Sequence, residues 1–168
     1  MTTIMKYFTA FICLVVLVGL AGSATAGSTI MRLAATDRKA LLHGQFHIVN
    51  KGEHLSSTNR VGLARVFHQD ALEIADPGQP YQATDVVSGK MLPGRRLIFA
   101  AENSHYCIVH YERGGIAYSC QIVVFKIVKS KAHLVWSALA PGRLAGLAEF
   151  RRALTAGRLD DRGANATW

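Results

Sequence analysis

The second half of the chain consists of short runs rich in apolar, β-branched and aromatic residues, which are typical of β-strands. Short turns rich in Gly, Asn, Ser or Lys separate the runs. The runs are RRLIFAAE from Arg95, HYCIVHYE from His105, IAYSCQIVVFKIV from Ile116 and AHLVWSAL from Ala132. Because short turns join strands that run in opposite directions, this pattern predicts an antiparallel meander.

Helical spacing flanks the predicted sheet. Arg143 to Thr155 has leucines at helical intervals, with Gly157 just beyond them as a stop signal. In the first half, short helices are indicated near Asp37 to His43 and around Val61 to Phe67, although Gly62 weakens the second. We therefore predict an α+β fold. Its meander has four strands, or five if QFHIVN joins the sheet, with short N-terminal helices and an amphipathic C-terminal helix packed on one face.

An apolar stretch, YFTAFICLVVLVGLAG, precedes these elements at Tyr7 to Gly22. It follows Lys6 and leads into the small residues Ala24-Thr25-Ala26, an arrangement typical of a secretory signal peptide. We expect cleavage after Ala26, leaving residues 27–168 as one small domain, secreted or periplasmic, with no membrane span in its mature form. An uncleaved anchor is the alternative, but a spanning helix usually needs about 20 apolar residues.

The charge balance points to acidic partners. The formal net charge is +8, and it falls to +7 without the leader because Lys6 is its one charged residue. Basic residues cluster at Lys126 to Lys131 and at Arg143 to Arg158 and are otherwise scattered. No nucleic-acid-binding motif is present. We expect an anionic envelope polymer or a protein partner rather than nucleic acid, with a plain solvated basic surface as the alternative.

A hairpin centred on Gly114-Gly115 would decide which side chains share a face of the sheet. In that register Val109 lies opposite Cys120. The first face then holds Cys107, Val109, Tyr111, Tyr118, Cys120, Ile122, Val124, Leu134 and Trp136, and the C-terminal helix is its natural cover. The second face holds Tyr106, Ile108, His110, Glu112, Ser119, Gln121, Val123, Phe125 and Val135. That face is too apolar to stand open, so the first half of the chain, a partner subunit or a ligand must cover it.

Two cysteines remain once the leader is removed. Cys107 and Cys120 share the first face in this register, and an even cysteine count in an exported chain favours a disulfide. The register places them diagonally, so the bond requires a shifted pairing or a bulge. The spacing of histidines and cysteines predicts no metal site, and no cofactor motif is present.

One set of residues resembles the parts of a nucleophilic triad. His110 lies opposite Ser119 in the assumed register, and Glu112 shares their face. Ser119 lies inside a strand rather than on a strained elbow, which argues against catalysis. We therefore expect a non-catalytic protein that binds a ligand, an envelope component or a protein partner, with a small hydrolase using His110, Glu112 and Ser119 as the alternative. The candidate binding residues on the second face are Ile108, His110, Gln121 and Phe125, because apolar walls with few polar groups are typical of ligand sites.

Overall fold

The computed structural model describes residues 31–86, 89 and 91–161. The predicted leader and its cleavage site lie outside the described residues. Within that part, five strands form one antiparallel sheet in chain order: β1 (His47–Val49), β2 (Arg95–Glu102), β3 (Tyr106–Arg113), β4 (Ser119–Val128) and β5 (Lys131–Ala140). Three α-helices accompany it: α1 (Ala35–His43), α2 (Ser57–Val66) and α3 (Leu147–Thr155), with a 3-10 turn at Gly52–His54. The predicted α+β meander, in its five-stranded form, is confirmed.

One face of the sheet lies under α1 and α3, and we call it the α1/α3 face. The buried side of α3 consists of Phe150, Ala153 and Leu154, which recur at the three- and four-residue spacing of one helix face. These side chains and Leu41 of α1 join a single apolar cluster with the sheet residues Phe99, Ala101, Tyr106, Ile108, Ile122, Val124, Trp136 and Ala138. The C-terminal helix therefore covers the sheet, as its amphipathic pattern predicts.

The opposite face lies under α2, and we call it the α2 face. Its cluster joins Leu63 and Phe67 to the sheet residues Leu97, Ala100, Cys107, Val109, Tyr111, Val123 and Phe125. Gly62 belongs to this packing, because a Cβ added there would lie only 2.7 Å from the Cβ of Ala132 on β5. The glycine that lowers the helix propensity of α2 thus allows the helix to approach the sheet closely.

The register of the β3–β4 hairpin differs from the predicted one. β4 begins at Ser119 rather than at Ile116, and Val109 pairs with Val123 rather than with Cys120. The pairing is displaced by three positions. Because side chains alternate, an odd displacement moves every β4 residue to the other face.

Close packing around the two glycines explains this difference. Gly115 donates its N–H to the carbonyl of Ala83 at 3.2 Å, and Gly114 donates to the carbonyl of Gly94 at 3.2 Å. A Cβ at Gly114 would overlap the carbonyl oxygen of Gln82. The glycines therefore make room for a neighbouring loop instead of forming a two-residue turn, and the hairpin loop extends to Tyr118.

The two predicted faces are consequently mixed in the structure. Cys107, Val109 and Tyr111 lie on the α2 face, with Leu134 packed against them, whereas Ile122, Val124 and Trp136 lie on the α1/α3 face. The first half of the chain, a partner subunit and a ligand were the three possible covers for the second face. The structure shows that the first half of the chain covers the sheet. It contributes α2 to one side of the sheet and α1 to the other.

Candidate functional site

His110 is fully buried on the α1/α3 face, with an exposed fraction of 0%. Its Nδ1 lies 2.9 Å from the carbonyl oxygen of Gln121, and the backbone N–H of Leu144 donates to its Nε2 across 3.0 Å. Since a carbonyl only accepts and an N–H only donates, the ring is neutral with its proton on Nδ1. Burial lowers the pKa of His110, which favours the same neutral form. With both nitrogens engaged, the ring links β3 to β4 and to the segment before α3.

Glu112 is the buried acceptor of an ion-pair network at the Gly114 end of the sheet. Its carboxylate accepts from Arg96 Nε at 2.6 Å, from Tyr118 OH at 3.0 Å and from Tyr81 OH at 3.3 Å, with Arg143 Nη2 at 3.9 Å. Burial alone would raise the pKa of Glu112, but the hydrogen bonds from Arg96 and Tyr118 and the nearby arginine charges outweigh it, and the pKa is lowered. The carboxylate is therefore ionised and committed to structural partners.

Ser119 does not meet these two residues. It pairs with Arg113 in the register, which places it on the α2 face, and Gln121 Nε2 donates to its hydroxyl at 3.0 Å. His110 and Glu112 lie on the α1/α3 face, so the sheet itself separates the serine from the histidine. The constellation considered for a hydrolase is thus not assembled, because the hairpin register moves Ser119 to the other side.

The four candidate binding residues do not line an open site either. Ile108 and His110 lie on the α1/α3 face, whereas Gln121 and Phe125 lie on the α2 face. None of the four is more than 1% exposed. Gln121 also accepts a hydrogen bond of 2.7 Å from the hydroxyl of Tyr111, which occupies its side chain within the core. Their mixture of apolar and polar character reflects two covered interiors.

The two cysteines are free and lie on opposite faces of the sheet. Cys107 pairs with Phe125 in the register and Cys120 with Glu112, several residue pairs apart. The predicted disulfide is therefore not formed, and the displaced register is again the reason. Burial raises the pKa of both thiols, that of Cys107 strongly. Thiols in such surroundings are mainly protonated and weakly nucleophilic, which argues against covalent catalysis by either cysteine.

An open cleft of about 770 Å³ lies between α2 and the segment 69–76. The helix contributes Ser57, Arg60, Val61, Ala64 and Arg65, and the other wall contributes Gly52, Glu53, Gln69, Asp70, Ala71, Leu72, Ile74 and Asp76. A hydrogen bond of 2.8 Å from the N–H of Gly52 to Asp76 Oδ1 joins two parts of this second wall. Arg60 and Arg65 make the helix wall of the cleft basic, whereas Glu53, Asp70 and Asp76 make the opposite wall acidic.

A smaller groove of about 230 Å³ lies along the same helix, between α2 and the β4–β5 turn. We call it the basic groove. Its lining is Ser57, Thr58, Val61, Arg65, Ser130, Lys131 and Ala132. Thr58 Oγ1 donates to the carbonyl of Ser130 at 3.3 Å, which ties the helix to the turn. Because Ser57, Val61 and Arg65 also line the cleft, the two depressions share this edge of the helix.

The basic groove differs from the cleft in its charge. Its lining contains Arg65 and Lys131 but no aspartate or glutamate. Both cations are exposed, and neither lies within 4.0 Å of an acidic side chain in the ion pairs found for the described part of the chain. The groove thus presents two uncompensated positive charges beside three hydroxyl-bearing side chains.

The turn that forms one wall of the groove has an unusual backbone. Lys129 and Ser130 occupy positive φ values of 49° and 59°, between the paired residues Val128 and Lys131. Two successive positive φ values are the signature of a tight type I′ hairpin turn, which usually contains Asn and Gly. A lysine and a serine adopt this conformation at a cost, and such positions are enriched at functional sites.

The sequence pattern identified only part of this groove. The cluster at Lys126 to Lys131 was visible, but Lys126 lies on the α1/α3 face and pairs with Asp37 at 2.8 Å. Arg60 and Arg65 seemed scattered because nothing local reveals that α2 packs beside the β4–β5 turn. Arg60 lies one residue and Arg65 four residues from Val61 on a short helix. That spacing was the available signal, and only the tertiary structure shows that Arg65 lines the groove and Arg60 the adjoining cleft.

Among the described residues, no group of three or more His, Cys, Asp and Glu side chains is arranged to hold a metal ion. In the same part of the chain, no helix has the length and apolar character needed to cross a bilayer. No protein-family model, curated protein or solved structure matches this chain. The function is therefore inferred from the candidate site itself.

Proposed function

We propose that the chain is an exported, non-catalytic protein that binds an anionic envelope polymer through the basic groove. The observation that carries this proposal is that Arg65 and Lys131 line the same groove, and that the described lining of this groove contains no acidic side chain. Surface charges of this kind attract ligands of opposite sign and raise the rate of encounter.

Several other basic residues of the described chain have structural partners. Arg96 donates to Glu112, and Lys126 donates to Asp37. Arg151 donates to the carbonyl of Leu41 in the last turn of α1 at 3.0 Å and to that of Gly44 just after the helix. Arg65 and Lys131 show no comparable contact in the described structure. The exposed Lys39 and Arg158 show none either, but Arg65 and Lys131 line one groove together, which supports a shared anionic partner.

The size of the groove favours a polymer over an enclosed small ligand. Sites that enclose small molecules usually have volumes of about 300–1,000 Å³, and the basic groove is smaller than that. It suits a single phosphate, sulfate or carboxylate group of an extended chain. The adjoining cleft is less suited to an anion, because Glu53, Asp70 and Asp76 on its far wall would repel one.

A binding assay with matched variants tests the proposal. We would measure the affinity of the protein for polyphosphate and polygalacturonate, with neutral dextran as the uncharged probe. The groove variant Arg65→Gln/Lys131→Gln should bind the anionic polymers about tenfold more weakly, roughly the loss of 1.4 kcal/mol. The control variant Lys39→Gln/Arg158→Gln removes the same charge from exposed positions elsewhere and should change the affinity less than about twofold.

Equal losses in the two variants would mean that net charge alone drives binding and would refute the groove. Wild-type protein that binds neither anionic polymer would refute the function as well. Binding that weakens steeply as the salt concentration rises is expected, because exposed charges are screened over about 10 Å at 0.1 M ionic strength.

Export is tested separately. The form of the protein that accumulates outside the cytoplasm should begin at Gly27 when its N-terminus is sequenced, since the Ala24-Thr25-Ala26 exit favours cleavage after Ala26. A membrane-retained protein that still begins at Met1 would contradict this part of the proposal.

A further inference from the structure

A projecting cluster of apolar side chains lies at the opposite end of the sheet from the basic groove. The exposed fractions are 95% for Ile116, 82% for Met91 and 75% for Val86, and Tyr118 and Leu92 are also exposed. We call these five residues the apolar tip. Exposed apolar residues are ordinary when scattered, but several together on one part of a surface mark an interaction site.

Backbone hydrogen bonds hold the three loops of the apolar tip together. Gly114 donates to the carbonyl of Gly94 at 3.2 Å, Gly115 donates to Ala83 at 3.2 Å, and Gln82 donates to Pro93 at 2.9 Å. The side-chain amide of Gln82 also donates to the carbonyl of Val86 at 2.8 Å. The segments that display Val86 and Met91 thus lie beside the hairpin loop that displays Ile116, which is distant from both in the sequence.

The charges around the apolar tip are mainly positive. Arg113 directly precedes the glycines, and Arg143 lies 3.9 Å from the carboxylate that Tyr118 contacts. That carboxylate, Glu112, is buried beneath the tip and already paired with Arg96. The exposed Asp85 precedes Val86 in the same loop, and its Oδ1 lies 3.2 Å from where a Cβ of Gly115 would be, so one carboxylate also lies at the tip. An apolar tip with a cationic surround complements a surface that is apolar inside and anionic at its boundary.

We propose that the apolar tip inserts into the interfacial layer of an anionic lipid bilayer. Aliphatic side chains on loops gain the most by entering the acyl boundary, and tyrosine favours the headgroup level. Nearby arginines add electrostatic attraction to anionic lipids. A second copy of the chain is a poorer partner, because a net charge of +8 makes two copies repel each other.

The geometry allows this contact and polymer binding at the same time. β4 runs for 10 residues from the hairpin loop beside the tip to the turn beside the groove. At about 3.3 Å per residue, the two sites lie roughly 30 Å apart. A molecule attached to a bilayer through the apolar tip would therefore direct its basic groove away from the membrane.

Vesicle binding by the full protein tests this proposal. Vesicles of phosphatidylglycerol with phosphatidylcholine should bind the wild type, and vesicles of phosphatidylcholine alone should bind it more weakly. The tip variant Met91→Ser/Ile116→Ser should lose about tenfold or more in affinity, because it removes two aliphatic side chains that enter the lipid on binding. The control variant Ile48→Ser/Val128→Ser replaces two half-exposed aliphatic residues elsewhere and should bind like the wild type.

A polarity-sensitive dye supplies a second measurement. It reports the surroundings of the labelled position alone, so membrane binding by another segment would not affect it. Attached to Ile116→Cys, the dye should shift to shorter wavelength when anionic vesicles are added, and attached to Ile48→Cys it should not. Wild-type protein that ignores anionic vesicles would overturn the proposal, and so would equal losses in the tip and control variants. A wild-type dimer that the tip substitutions dissociate, with no dye shift on vesicles, would show that a second copy occupies the tip instead.

Discussion

The two ends of the sheet contain similar numbers of basic side chains near their loops, but they use them differently. At the Gly114 end, Arg96 donates to the buried Glu112, and Arg143 lies close to the same carboxylate. At the β4–β5 end, Arg65 and Lys131 line a groove that has no acidic side chain. The comparison shows that the role of a basic residue is indicated by whether an acidic side chain lies beside it, and not by its position in a cluster of charges along the sequence. We therefore assign a structural role to Arg96 at the first end and polymer binding to Arg65 and Lys131 at the second.

Removing one arginine from each end should separate these roles most strongly. Arg96→Met leaves the buried Glu112 without its closest cation, and breaking a buried pair typically costs about 3–5 kcal/mol. Arg65→Met changes an exposed residue without an acidic partner and should alter the free energy of unfolding by less than about 0.5 kcal/mol. Urea unfolding of both variants measures the difference. Equal effects on stability would break the distinction between the two ends.

His110 extends the structural role of the first end towards α3. His110→Ala should lower the free energy of unfolding by about 2–3 kcal/mol at pH 7.5, because it strands the N–H of Leu144 and opens a cavity. The pKa of His110 is lowered by burial, so its contribution is present above the unfolded value of 6.5 and declines as the pH falls below it. Thermal unfolding between pH 7.5 and pH 5 should therefore show the gap between wild type and variant narrowing.

The carboxylates titrate in a separate range, which makes this experiment interpretable. The pKa of Glu112 is lowered from 4.5, and that of Asp37 is lowered from 3.8, chiefly by the hydrogen bond from Lys126. Their contributions are lost only as the pH falls below those values. A gap between wild type and His110→Ala that stays constant down to pH 5 would contradict a neutral, buried His110.

Gly114 tests the packing of the loop on the first end. Gly114→Ala should cost about 1–2 kcal/mol, because its Cβ would overlap the carbonyl of Gln82 and force the loop away. Gly142→Ala is a suitable control, since a Cβ there meets nothing within 4 Å. Both variants can be compared by chemical unfolding. Similar midpoints would show that the 82–83 loop is not packed against Gly114.

The smallest expected effect concerns the cysteines. Because Cys107 and Cys120 are free and lie on opposite faces, a reductant should leave the free energy of unfolding unchanged. A disulfide closing a loop of this length would instead contribute about 3 kcal/mol. Alkylation under denaturing conditions without reductant should label both residues. Two unlabelled cysteines in denatured protein would show that they are bonded.

Features set by residues close in the sequence were predicted correctly, whereas features set by contacts between distant segments were not. β2 was predicted with its observed bounds, Arg95–Glu102, because a short apolar run and the preceding Pro93-Gly94 are local signals. The hairpin register was wrong because Gly114 and Gly115 face the loop at Gln82–Ala83, far away in sequence. In the sequence, a glycine pair that forms a tight turn cannot be distinguished from one that makes room for a neighbouring backbone segment.

That one error spread to every site prediction that depended on the faces. It placed Cys107 and Cys120 on one face and Ser119 opposite His110, although the sheet separates the members of each pair. The basic groove escaped notice for a related reason. Arg65 and Lys131 come together only through the packing of α2 on β5, where Gly62 approaches Ala132.

The position of the bound polymer is the most direct test of the central claim. We would titrate isotopically labelled protein with polyphosphate of defined length and follow the backbone amide resonances. Saturable shifts should concentrate in Ser57–Arg65 and Lys129–Ala132, which form the two walls of the basic groove, and should be absent from the apolar tip at Ile116. Shifts spread evenly over all exposed basic residues, or centred on α1 and α3, would contradict the assignment of binding to the β4–β5 end.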